Sequence, residues 1–325
     1  MTEYVANYGN GETAMHNRLM QPIRIAVQLF YLVFTFWLGV SFFRFVLHFR
    51  SGGLSPFSSR PAAIEAFLPI SGLLGLRDWA ARGEINAVHP AAVVIFVTAL
   101  LVSLLLKRSF CSWICPVGAV SEMLWKLGFS RLRRNLRPPP VLDYLLRGVK
   151  YLLLAFFLSS ILIMMPAAAV NSFIASDYHK IADVRLLDFF LNLSPLALGV
   201  ITVLAVLSLF IRNAFCRYGC PYGALLGLIS MLSPAKVTRH ADICVSCGVC
   251  SQVCPSYLPV MSSRRVSSPE CIGCWRCISH CRADGALTMQ LWKSRLALPG
   301  LLFALLVVLL FWGGSVMGKI TGNWQ

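Results

Sequence analysis

Five stretches of this chain run for about twenty residues without a charged side chain, long enough to cross roughly 30 Å of hydrocarbon as helix. They are Ile25 to Phe43, Ile85 to Leu106, Tyr151 to Ser176, Phe189 to Ile211 and Leu296 to Gly318. Lipid offers no partner to a backbone N–H or C=O, so such stretches are restricted to helices that satisfy their own hydrogen bonds. The expected fold is an all-α polytopic membrane protein of about five transmembrane helices. A composition of 57% hydrophobic and 13% charged residues excludes an ordinary soluble core. The apolar piece Ala66 to Leu76 is too short to span and lies between Glu65 and Arg77, which suits an interfacial or re-entrant segment. The first stretch exceeds a secretory h-region and no small-residue cleavage site follows it, so it is expected to be retained.

The net charge of +16 raises nucleic acid as a partner, but the position of the basic residues gives a different reason for it. With the N-terminus cytoplasmic, the inner segments 1 to 24, 107 to 150 and 212 to 295 hold 21 of the 29 Lys and Arg. That is the positive-inside bias. The densest run, Lys126, Arg131, Arg133, Arg134 and Arg137, is also suited to anionic lipid or a partner. No nucleic-acid-binding module accompanies the charge, so nucleic acid is not expected.

All twelve cysteines fall into four groups. Cys244, Cys247, Cys250 and Cys254 have the spacing C-x2-C-x2-C-x3-C followed by Pro255, and Cys271, Cys274, Cys277 and Cys281 repeat it with Arg282 after the last. This is the bacterial two-cluster ferredoxin signature. Three thiolates on one tight loop can cap three corners of an iron–sulfur cubane, and the fourth comes from the other run. The expected sets are therefore Cys244, Cys247, Cys250 and Cys281 for one [4Fe–4S] cluster, and Cys271, Cys274, Cys277 and Cys254 for the other. Zinc is the competing reading, but zinc ribbons use separated C-x2-C knuckles rather than four cysteines within eleven residues. Disulfides would need an oxidising compartment.

The other four cysteines belong to an internal repeat. Phe110-Cys-Ser-Trp-Ile-Cys-Pro-Val-Gly-Ala119 and Phe215-Cys-Arg-Tyr-Gly-Cys-Pro-Tyr-Gly-Ala224 agree at six of ten positions, each directly after a stretch running outside to inside. The i, i+4 spacing puts Cys111 with Cys115, and Cys216 with Cys220, on one helical face. Four thiols can then converge on a third cluster or a metal, act as redox dithiols, or simply fill space as small buried residues. Trp113, Tyr218, Tyr222 and Trp275 are expected to pack rather than conduct.

The expected division is 1–24 as a cytoplasmic segment, 25–239 as a membrane domain with four spans and both C-x3-C-P motifs, 240–292 as an inserted small α+β ferredoxin domain on the cytoplasmic side, and 293–325 as a last transmembrane helix. Arg137-Pro-Pro-Pro140 interrupts helix, and Ser256 to Pro269 reads as the loop between the two cluster-binding halves. Quinol chemistry needs a proton acceptor near an apolar pocket at the interface, for which His89, His48 and Arg44 are the candidates, with interfacial anchoring as the alternative. A haem at the outer edge on His48 and His89 is a further alternative, and His179 sits in an outer loop with Asp177, Asp183 and Asp188. His240 and His280 flank the ferredoxin runs.

The paired F-C-x3-C-P-x-G-A motifs followed by two ferredoxin runs resemble the NapH/NosR type of membrane polyferredoxin, from about Arg24 to Thr288. The resemblance implies a quinol dehydrogenase subunit that passes electrons from membrane quinol through [4Fe–4S] clusters to a partner electron carrier or reductase. A redox-sensing or metal-maturation role like that of CcoG, without quinol turnover, is the alternative. The chain departs from both patterns. No flavin-binding domain of the NosR type is expected here, and Leu296 to Gly318 adds a span that NapH-like chains usually lack.

Overall fold

The computed structural model describes residues 11–132, 135–292 and 297–324. Arg133 and Arg134 of the basic run, residues 1–10 of the segment 1–24, and Leu296 at the start of the last expected span lie outside them.

Helix α1 runs Gly11–Arg50, passing through Pro22, and is about 60 Å long. A 3-10 turn Ala62–Phe67 leads into α2, Pro69–Arg82, where the short apolar piece lies. Helix α3, Pro90–Leu106, is apolar on all sides and buried on most of them, as expected of a helix at the centre of a bundle. The short α4, Ser109–Trp113, and α5, Pro116–Leu132, carry the first C-x3-C-P motif. Then come α6, Pro140–Leu158, which ends in a π turn Ser159–Met164, and α7, Ala167–Ala175. After a single turn, α8, Asp177–Lys180, follow α9, Ala182–Leu191, α10, Pro195–Phe210, a second π turn Phe215–Gly219, and α11, Pro221–Ser230. Strand β1, Ala235–Arg239, opens the cysteine-rich segment. It contains the short helices α12, Val249–Gln252, and α13, Arg276–Ser279, and closes with β2, Leu287–Leu291. Helix α14, Gly300–Ile320, ends the chain.

Among the described residues three helical segments are long and apolar enough to cross a membrane: Asn17–Arg50, Pro140–Met164 and Gly300–Ile320. A fourth crossing exists if α9 and α10, bent by 81°, count as one span. The expected stretch Tyr151 to Ser176 is divided because Pro166 has no N–H to continue the helix and disfavours helical backbone at Met165. Phe189 to Ile211 is divided where Ser194 caps α10 through the Ala197 N–H and Pro195 occupies its first turn. Ile85 to Leu106 shortens to a 17-residue helix that starts at Pro90.

β1 and β2 pair antiparallel, Ala235 opposite Leu291 and Arg239 opposite Leu287, so the strands tie together the two ends of the cysteine-rich segment. That segment shares one core with the membrane helices: Met20 and Tyr31 of α1, Trp113 of α4 and Phe303 of α14 belong to the same buried cluster as Val237, Cys254, Trp275 and Met289.

Small residues set the spacing around α3. A Cβ at Gly314 of α14 would lie 2.1 Å from Thr98 Oγ1, whereas one at the adjacent Gly313 would meet nothing within 4 Å. Close approach of this kind is what glycine contributes to helix packing in a bilayer. Gly314→Leu is therefore expected to cost about 1–3 kcal/mol and lower the thermal unfolding midpoint in detergent. Gly313→Leu should leave it nearly unchanged, and equal effects at the two positions would contradict the packing.

Candidate iron–sulfur sites

Each ferredoxin run bends its backbone in the same way. Two positions after the first cysteine, Ser246 and Gly273 have φ of 52° and 60°; two further on, Gly248 and Trp275 have φ of 74° and 59°. Left-handed residues alternating with right-handed ones turn successive amides to one side and form a concave anion cradle. Each run relieves this geometry with one glycine and imposes it on one residue with a side chain. Gly248 and Trp275 then cap the short helices that hold Cys250 and Cys277.

The second run lines a cavity with Cys271, Cys274, Cys277 and, from the first run, Cys254. Apolar walls from Leu258, Val260 and Val266 keep water away. Burial and the nearby Cys274 push the Cys254 thiol up to about 12. Cys277 is likewise raised well above its ordinary value by burial, with Cys274, Cys254 and Cys271 adding to it. Across the segment, Cys281 is close enough to Cys250, Cys247 and Cys244 to feel all three. Thiols so crowded and desolvated stay protonated when free and become thiolates when a metal supplies the opposing charge. Among the described residues no three Cys, His, Asp or Glu groups gather tightly enough for a single ion. Thiolates on one zinc would be about 3.8 Å apart, whereas a cubane places each on a different iron. The donor set fits iron–sulfur chemistry.

The two C-x3-C-P motifs fold alike. The Cys115 N–H donates to Phe110 O at 3.0 Å and the Cys220 N–H to Phe215 O at 3.1 Å; the Ala119 and Ala224 N–H groups donate to the carbonyls of Cys115 and Cys220. In both, a widened, π-type turn brings the second cysteine to the start of a helix that opens with proline. The Gly223 N–H donates to Cys220 Sγ at 3.2 Å, a helix N-terminus directed at sulfur. Burial, Cys111 and Cys220 together raise the Cys115 thiol, to about 12. Cys216 is raised by burial and by the other three thiols of the pair of motifs. The repeat thus brings Cys111, Cys115, Cys216 and Cys220 into one neighbourhood. A cavity lies there, bounded by Cys111, Cys216, Arg108 and Arg217, and it shares Pro255, Ser256 and Ile272 with the cavity of the second run.

The first motif also grips the second run. Trp113 Nε1 donates to Gly273 O at 3.1 Å, Ser112 Oγ to Ile272 O, and Gln21 Nε2 of α1 to Cys274 O at 3.0 Å. Trp113 is completely buried, with its ring 5.9 Å from that of Phe303, and Trp275 lies 5.4 Å from the same ring. Buried charges surround the site. Arg24 makes two 2.6 Å bonds to Glu122, Lys150 Nζ lies 2.6 Å from Glu270, and Arg217 is bidentate on Asp143 at 2.8 Å.

At the other end of α3 the candidate proton acceptors separate. His89 is buried, Nε2 2.8 Å from His179 O and Nδ1 3.1 Å from Glu65 Oε1 and 3.2 Å from Arg60 Nη2. Arg60 bridges Glu65 at 2.7 Å and Asp183 at 2.8 Å. His48 instead pairs with Ser55 O at 2.5 Å, and Arg44 is exposed. Sequence reasoning missed Glu65, Arg60 and His179 as members of this array. The one local signal was a carboxylate bordering an otherwise apolar segment.

A family model described as "4Fe-4S binding domain" matches residues 88–139 and 193–240, around the two C-x3-C-P motifs, and one described as "4Fe-4S dicluster domain" matches 236–282. The "Putative electron transport protein YccM" of Escherichia coli is 41% identical over 93% of this chain and 86% of its own length. The "Ferredoxin-type protein NapH" of the same organism is 26% identical over 63% of this chain and 71% of its own. The "Regulatory protein NosR" of Pseudomonas aeruginosa is 29% identical over 60% of this chain and 27% of its own. No solved structure matches.

Proposed function

Because the chain belongs to the NapH/NosR family of ferredoxin-type membrane proteins, and is thus an iron–sulfur electron-transfer protein of the membrane, we propose that it relays electrons from membrane quinol to a partner redox protein. In this reading the ferredoxin-like segment, 240–292, faces the cytoplasm with the basic loops, and Cys244, Cys247, Cys250 and Cys281 hold one [4Fe–4S] cluster. Cys271, Cys274, Cys277 and Cys254 hold the second. Cys111, Cys115, Cys216 and Cys220 hold a third centre, where the two copies of the repeat meet. When bound, such centres supply one-electron transfer without proton exchange.

The observation that carries this reading is the shared wall: the thiol cavity of the second run and the cavity between the C-x3-C-P motifs have Pro255, Ser256 and Ile272 in common. Thiols on both sides of one thin partition form a path from the membrane helices into the ferredoxin loops. Ser112 and Trp113 hold the loop of the second run against that partition, and the apolar walls exclude water from it.

The length of α3 bears on where quinol delivers its electrons. His89 and Arg108 bracket a 17-residue helix, about 25 Å, so a quinol oxidised beside His89 would leave its electrons far from any thiol. We therefore assign electron entry to the inner boundary. His89, held by Glu65 and Arg60, is left as an outer polar anchor or a proton path. Anaerobic mixing of cluster-loaded protein with a menaquinol analogue should bleach the iron–sulfur absorbance, in His89→Gln as in the native chain. No reduction in either would favour the sensing or maturation role, and reduction abolished in His89→Gln alone would move the entry point to the outer end.

A further inference from the structure

Two consecutive cations at the inner end of α3 are buried with most of their hydrogen-bonding capacity unused. Lys107 is 0% exposed, and its Nζ has no hydrogen-bond partner among the described residues. The charged or ionisable groups that act on it are Cys271, Lys236 and Arg265, and two of those three are themselves cations. Arg108 is 2% exposed, and its Nε and Nη1 are likewise without a partner. Its Nη2 donates to the carbonyl oxygen of Cys216 at 3.3 Å, and the Cys111 thiol also acts on the guanidinium. The nearest carboxylate, Glu270, stands 3.8 Å from Nη1 and is already bonded to Lys150 at 2.6 Å.

The other buried cations near the site are matched: Arg24 by Glu122, Lys150 by Glu270, Arg217 by Asp143. A desolvated cation without an anion is strongly unfavourable, and a fold that keeps two side by side has an anion for each. The two side chains address different thiols. Lys107, with a left-handed φ of 61°, sits in the turn on which the second run packs, a Cβ at Gly273 falling 3.3 Å from Leu106 O and 3.4 Å from Ser109 Cβ, and it feels Cys271; Arg108 lines the cavity of Cys111 and Cys216 and acts on both. A Cβ at Gly223 would lie 3.1 Å from Arg108 Nη2 and one at Gly227 3.6 Å from Nη1, so the second repeat is shaped around the guanidinium.

We propose that Lys107 and Arg108 are resident counter-charges, Lys107 for the cluster on Cys254, Cys271, Cys274 and Cys277, and Arg108 for the centre on Cys111, Cys115, Cys216 and Cys220. The Arg108 assignment rests on the reading that the C-x3-C-P thiols hold a third centre; the Lys107 assignment does not. An iron–sulfur centre with four thiolates is anionic, and more so when reduced. A fixed cation beside it therefore favours the reduced form and raises its potential. Both are positioning residues, since each acts on its centre through charge and neither is a ligand to it.

The test is an EPR-monitored redox titration of the full-length, cluster-loaded protein, together with iron and acid-labile sulfide counts. Lys107→Gln should lower the midpoint of the cluster that depends on Cys271, so that its reduced-to-oxidised ratio at fixed poise falls about tenfold, with the C-x3-C-P centre little changed. Arg108→Gln should do the reverse, or strip about four irons from a native content of about twelve. Lys107→Arg and Arg108→Lys keep the charge and should stay close to native midpoints, which separates charge from packing. Unaltered midpoints in both glutamine variants, or the same centre shifted by both, would overturn the assignment. A native content of eight irons would refute the third centre and Arg108's role with it, and Lys107 would then be judged on its own cluster's shift.

Discussion

Cys254→Ala is expected to abolish the EPR signal lost in Cys271→Ala and Cys277→Ala, and to spare the one that depends on Cys244 and Cys247. Cys254 lies with Cys250 in sequence, but it lines the cavity of Cys271, Cys274 and Cys277. Cys281 conversely stands near Cys244, Cys247 and Cys250. The exchange is possible because β1 and β2 fold the two runs back on each other, and because the runs are joined by a loop short enough to keep them face to face. Each such variant should lose about four irons per chain and interrupt the relay at that point. Because Cys254 is buried among Leu258, Val260 and Val266, no water can readily take its place as a ligand. If Cys254→Ala instead removed the signal that Cys247→Ala removes, each run would bind its own cluster and the exchanged assignment would be wrong.

Glu122→Gln is expected to destabilise the protein by about 3–5 kcal/mol, the cost of leaving a buried charge unmatched. Glu122 on α5 receives both Arg24 nitrogens at 2.6 Å, Gln28 Nε2 at 3.1 Å and Lys126 at 2.7 Å, with Arg276 at 3.6 Å. One carboxylate thus joins α1, α5 and the helix that carries Cys277. Burial opposes its ionisation, but Arg24 and Lys126 more than offset this and hold it well below the usual carboxylate range. A depressed value places its stabilisation above the unfolded-state value of about 4.3, unchanged at neutral pH and lost as the pH falls toward the folded value. Thermal unfolding in detergent should show a lowered midpoint and earlier loss of iron for Glu122→Gln at pH 7. The double variant Arg24→Met/Glu122→Leu, which removes both charges, should recover much of the loss. A Glu122→Gln midpoint no lower than that of Lys126→Met, at a half-exposed position, would remove this carboxylate as the link.

The two ferredoxin runs and the repeated C-x3-C-P motif were legible in the sequence because their geometry is local. Tight spacing fixes which thiols share a loop, and the same residues recur in the same turn at Phe110 and Phe215. The apolar stretches were legible as helices, three of them long enough to cross a membrane among the described residues, yet two were drawn as continuous where Pro166 and Ser194-Pro195 break them. Hydropathy averages over a window and does not register one missing N–H. Trp113 was read as a packing residue. It is also a donor to Gly273, a contact between residues 160 positions apart that no local pattern announces. His179, Glu65 and Arg60 come together from separate loops for the same reason.

The sequence by itself determined that the chain enters a bilayer and carries cysteine loops spaced for iron–sulfur clusters, since both follow from side chains within a few turns of one another. Only the tertiary structure decided that the second ferredoxin run rests on the first C-x3-C-P motif, that four distant thiols share one neighbourhood, and that Lys107 and Arg108 are buried facing different cysteines. Charge balance in a desolvated interior is a sum over everything packed around a group, and that sum exists only once the chain has folded.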